Sequence, residues 1–170
     1  MIRPIRPVSP GTRWGESAME QQAAGKLGET VLAGSIVQTA GTARSMMRDG
    51  IGGAVGGTVA GVVGGMAAEA LASHGGGGAE LLGYRGLLYV AVGPTRVGFF
   101  RLKQGFLRDS LGDVLGILRR DAVTSVTVGS GKLTAPMTAT LNDGTTLQLE
   151  VSRVHRGKAE KVAALFPPAG

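Results

Sequence analysis

The chain has 170 residues and a formal net charge of +6. That length allows one ordinary domain plus an appendage, and the absence of cysteine excludes disulfides and thiolate zinc sites. Much of the glycine, 30 residues in all, lies in two blocks at 50–65 and 75–78, so the chain is compositionally split. The charge is split too. Residues 1–78 carry six basic and five acidic groups, a net of +1, and residues 79–170 carry twelve and seven, a net of +5. A basic module attracts anionic lipid surfaces, nucleic acid or acidic proteins.

Residues 1–15 open with two prolines and two arginines in the first seven positions and no apolar stretch. They are expected to form a disordered arm rather than a secretory signal. Residues 16–73 are expected to be helical. Glu16 and Glu20 suit a helix start, residues 30–43 carry no charge, and Gly50 suits a helix end. A second uncharged stretch, Gly50 to Ala68, is 19 residues long. As a helix it spans about 28 Å, just enough for a bilayer core of about 30 Å.

Within that stretch Gly53, Gly57, Gly61 and Gly65 recur every four residues. On a helical projection Ile51, Val55, Val59, Val62, Val63 and Met66 fall on one arc and the glycines on the rest. This is a glycine-zipper pattern suited to closely crossing helices. Each glycine costs about 0.8–1 kcal/mol relative to alanine in a helix interior. Eight of them between 50 and 65 therefore demand a membrane, or a partner that fills the small face. Residues 16–48 could supply such a partner as an antiparallel hairpin, a homo-oligomer could do so too, and a flexible linker is the third reading.

The block at 74–79 reads as a linker, and 80–166 as a small β domain closed by a helix, with 167–170 as a tail. Expected strands are 87–92, 96–102, 114–118, 123–128, 137–141 and 145–151, with a loop from Gln104 to Asp113. Asn142-Asp143-Gly144 is a hairpin signal. Met137, Ala139 and Leu141 alternate with threonines, as in a sheet with one solvated face. Ala159, Val162, Ala163 and Phe166 form the apolar stripe of a final helix over 157–166, stopped by Pro167-Pro168. The expected class is α+β.

Here the chain resembles the short bacterial pleckstrin-homology-like domains over about residues 83–166. The resemblance rests on Tyr89 to Phe100, similar to the family's first hairpin with an arginine after the turn. It rests also on Leu118 to Val126, where an acidic residue precedes a valine strand, and on the Asn-Asp-Gly hairpin with its closing helix. Gly93-Pro94 departs from the family's usual turn. The resemblance implies a binding or assembly module without catalysis.

No catalytic, cofactor or metal constellation stands out. His74 and His155 lack a second ligand at metal spacing. Gly129-Ser130-Gly131-Lys132 lacks the first glycine and the final Ser/Thr of a phosphate loop. The candidate binding groups are basic: Arg96, Arg101, Lys103, Arg119 and Arg120, with Arg108 nearby and Arg153, Arg156, Lys158 and Lys161 flanking the last helix. The expected partners are a protein or an anionic lipid surface. Nucleic acid fits poorly, because stacking needs exposed aromatics. The reading is a membrane-associated scaffold at the cytoplasmic face of a bacterial membrane. The alternatives are a soluble homo-oligomeric interaction module, cytoplasmic in location, and a basic nucleic-acid-binding accessory protein.

Overall fold

The structure is a computed structural model that describes residues 14–40, 84–106 and 108–168. The glycine repeat at Gly53, Gly57, Gly61 and Gly65, the 1–13 part of the arm and the 74–79 linker lie outside the described residues. The elements in chain order are α1 (Trp14–Leu27), β1 (Ala33–Thr39), β2 (Leu87–Val92), β3 (Arg96–Lys103), β4 (Ser110–Arg119), β5 (Val123–Val128), β6 (Thr134–Leu141), β7 (Thr146–Ser152) and α2 (Arg156–Ala163). Short 3-10 turns at Arg120–Ala122 and Arg153–His155 join β4 to β5 and β7 to α2. The strands form one antiparallel sheet in the order β4-β3-β2-β1-β7-β6-β5.

The first correction concerns residues 30–43. They were expected within a helical region over 16–73, and among the described residues of that region only α1 is helical. Ala33–Thr39 is instead a strand at the centre of the sheet. Ile36, Val37 and Thr39 are β-branched, and the backbone gains partners on both sides. Six residues register with β2, and Gln38 and Thr39 register with β7. Pairing with neighbours distant in sequence overrides a weak local preference. The same strand means that residues 33–39 do not form part of a helix that could pair with the glycine-rich stretch as an antiparallel hairpin. The β domain therefore does not begin at residue 80, because it takes its middle strand from before the glycine-rich stretch. The hairpin of β2 and β3, expected to be the first, is preceded by β1.

Two further boundaries differ. The expected loop Gln104–Asp113 is shorter, since β4 begins at Ser110 and pairs Lys103↔Ser110 and Leu102↔Leu111. The last helix starts at Arg156 and ends at Ala163, after which turn-type bonds carry the chain to a buried Phe166.

The sheet curls around one apolar cluster. Val90, Phe99 and Leu118 from the β2–β4 half meet Val126, Met137 and Leu149 from the β5–β7 half. Ala159, Val162 and Phe166 close it from the α2 side. In β6 and β7 burial alternates as the threonine pattern leads one to expect. In β2 and β3 it does not. Leu88 to Val92 and Val97 to Phe100 are buried continuously, because α1 lies on the outer face. Met19, Ala23 and Leu27, at i, i+4 and i+8, pack on Tyr89, Ala91, Phe100 and Leu102. Gly98 makes room for this contact, since a Cβ there would sit 2.8 Å from Leu27 Cδ2. The result is a small α+β fold of the sandwich or barrel type.

Candidate functional site

Two ends of the β2–β4 half carry the basic residues expected to bind. At the corner end, α1 is fastened by a clasp. Gly28 takes a left-handed conformation (φ 73°) and its amide donates to Ala24 O at 2.9 Å, a common helix stop. Arg96 Nη1 donates to Leu27 O at 2.8 Å, satisfying a carbonyl at the helix end. In the other direction Glu29 reaches the β2–β3 turn. Its Oε2 accepts from Thr95 Oγ1 at 2.6 Å, and its Oε1 accepts from the amides of Thr95 (3.1 Å) and Arg96 (2.8 Å). Gly93 is required beside it, because a Cβ there would overlap the Glu29 carboxylate. The unusual Gly93-Pro94 turn is thus a socket for Glu29.

The Thr95 hydroxyl, and behind it the two amides and the Arg96 charge, hold the Glu29 carboxyl below its usual value, against a smaller opposing effect of burial. A depressed carboxyl contributes stability above its unfolded value and loses it as pH falls through its folded value. Glu29→Gln should therefore destabilise the domain at neutral pH, and the gap to wild type should close below the ordinary glutamate range. Urea titrations at neutral and acid pH measure this.

Arg120 is a second tie at the corner end. Its Nη2 donates to Leu165 O at 2.7 Å, its Nη1 reaches Gly93 O at 3.5 Å, and the guanidinium lies 5.6 Å from the centre of the Phe166 ring. It joins the β2–β3 turn to the segment after α2. Arg119, exposed beside it, pairs with Asp121. Arg96, Arg119 and Arg120 are thus engaged within the fold, and Arg119 and Arg120 line an open groove of about 760 Å³ together with Pro94, Phe166 and Pro167.

The other end of β3 is different. Arg96 registers with Arg119, whereas Lys103 registers with Ser110, seven positions away and about 23 Å at strand rise. The five expected basic residues are therefore split between two ends. At the loop end Arg101 lies 5.3 Å from the centre of the Tyr84 ring and 3.7 Å from Asp113 in an exposed ion pair. The Lys103 stem runs over Gly112, where a Cβ would meet its Cε at 2.8 Å. Beyond them Phe106 is 103% exposed and Arg108 is exposed. A fully exposed phenylalanine beside basic side chains is the feature the sequence reading missed. Its signal was a lone aromatic in the otherwise polar Lys103-Gln104-Gly105 approach to Arg108.

The glycine-rich segment leaves and returns at this same end. Thr39 N donates to Gly86 O, and Gly86 N donates to Thr39 Oγ1, both at 3.3 Å. Residues 40–85 are therefore an excursion between adjacent strands whose base is pinned shut.

Among the described residues no group of three His, Asp or Glu side chains is placed to hold a metal ion. Among them, also, no helix is long and apolar enough to cross a membrane. No family model, curated protein or solved structure matches the chain. The described residues define a class: a small α+β domain with a curled seven-stranded antiparallel sheet and a C-terminal helix.

Proposed function

We propose that the chain is a non-enzymatic, membrane-associated adaptor whose β domain is a pleckstrin-homology-like module, docked to an anionic lipid surface at the cytoplasmic face of a bacterial membrane. Support for the module is the succession of antiparallel strands closed by a helix, the layout the resemblance implies. The observation that carries the membrane reading is the shared end. Lys103, Phe106 and Arg108 project where the glycine-rich excursion, whose 50–68 stretch is uncharged, departs and returns. Exposed cations are attracted to anionic headgroups at about 1 kcal/mol each, and an exposed ring favours the interface.

The pinned base also limits how residues 50–68 can meet a bilayer. A single crossing would carry Gly86 to the opposite side from Thr39, and the two are hydrogen-bonded. The membrane reading therefore requires that both ends of the segment stay on one side of the bilayer. The test compares the full chain with a variant in which residues 41–83 are replaced by a short Gly-Ser turn. A truncation beginning at residue 79 would not serve, since it removes β1. Cells expressing each are fractionated with salt and carbonate washes. Retention of the full chain and release of the short variant is the expected result. A full chain that is soluble without detergent overturns the membrane reading. Its sedimentation then tests the homo-oligomer, with the glycine face packed inside the assembly.

A further inference from the structure

We propose that a second surface, at the start of α2, binds an acidic segment of a partner protein that carries a bulky apolar side chain. The β5–β6 connection and the β7–α2 connection border an open groove of about 760 Å³. They are fixed to each other by Arg153 N donating to Leu133 O at 3.0 Å. Leu133 on its wall is 68% exposed and the adjoining Val154 is 79% exposed. Lys132 and Arg153 stand exposed on the same walls. Glu160 is the single acidic group among them, and Arg156 Nε already donates to it at 2.9 Å. The uncompensated charge is therefore positive and borders exposed aliphatic surface.

Gly157 is a further lining residue. It lines the groove in the first turn of α2, and a Cβ added there would meet nothing within 4 Å. A glycine in a helix interior costs about 0.5–1 kcal/mol relative to alanine, less in a first turn. No neighbour demands it here. Gly131, in contrast, is demanded by packing, since a Cβ would overlap the Thr134 carbonyl. At 157 alanine would therefore fit as well, and only a longer side chain would reach into the groove. The shape selects the partner class: a concave groove accepts one side chain of a peptide, whereas a bilayer meets a convex tip such as Phe106. The surface involves neither the excursion nor the β3–β4 loop and does not depend on the membrane reading.

The test uses the full chain and a fluorescent synthetic peptide of aspartates and glutamates around a central Leu-Phe pair, read by anisotropy at low and high salt. Saturable, salt-weakened binding is expected. Gly157→Leu, which fills the groove, and Lys132→Glu/Arg153→Glu, which reverses its charge, should each weaken it by about tenfold or more. Gly157→Ala should bind as wild type and serves as the control for folding. Absence of binding, or binding that Gly157→Leu leaves unchanged, overturns the proposal. It is overturned equally if the charge variants lose affinity for phosphatidylserine vesicles while the peptide still binds, because the surface is then a lipid surface.

Discussion

Phe100→Ala is expected to lower the free energy of unfolding by about 3–5 kcal/mol, the usual range for removing a buried phenylalanine. Phe100 is fully buried and lies between the sheet and α1, in contact with a cluster that includes Met19, Ala23, Leu27, Tyr89 and Leu102. Truncation leaves a cavity under a helix whose described contacts there are Met19, Ala23 and Leu27. Domains of this size are stable by about 5–15 kcal/mol, so the change removes a large share of the total. Urea denaturation measures the loss, and hydrogen exchange shows whether α1 opens before the sheet. A cost under about 1 kcal/mol would mean that α1 does not rest on this face in solution.

The second large effect concerns lipid. Lys103→Ala/Phe106→Ala/Arg108→Ala should lower the partition coefficient onto phosphatidylserine-containing vesicles several hundredfold. Two cations account for about 2 kcal/mol, and an interfacial phenylalanine for about 2 kcal/mol if its ring is removed from water. Together that is nearly three factors of ten at about 1.4 kcal/mol each. All three side chains are exposed, so the fold should be unaffected, as far-UV circular dichroism can verify. Vesicle sedimentation at low salt gives the number. Arg119→Ala, at the other end of the strand, should leave it within about twofold, a few tenths of a kcal/mol. An unchanged partition for the triple variant would assign lipid contact elsewhere on the chain.

The sequence was most legible where information is local. The Asn142-Asp143-Gly144 turn, with Gly144 at φ 85°, and the alternation in β6 and β7 each depend on residues a few positions apart. Of the equally clear stripe of Ala159, Val162, Ala163 and Phe166, Ala159, Val162 and Phe166 are buried and Ala163 is partly buried. Three features were not legible, for one shared reason. β1 is a strand because of partners near residues 90 and 150. Glu29 finds its donors 66 and 67 positions away. The unbroken burial of β2 and β3 depends on a helix that ends at residue 27. None of these partners lies within a window of helix or strand periodicity. The basic residues were found by type, but their split between two ends follows from strand register, and Arg96 and Arg120 are engaged with backbone carbonyls of the fold.

The pinned excursion bears on how the molecule assembles. β1 is the fourth of seven strands in spatial order, the seam between two three-stranded halves that are each contiguous in sequence. Those halves, β2–β4 and β5–β7, can form from nearby contacts early in folding. The seam precedes both in the chain, yet it must wait for both and then bring together the ends of residues 40–85. Closing that loop rather than a turn of about four residues costs about 2 kcal/mol in chain entropy. Its long-range contacts raise contact order, which slows folding. A chain with the excursion shortened should therefore refold faster, and the time before β1 docks is the interval in which the unsealed edges of β2 and β7 are open to another strand.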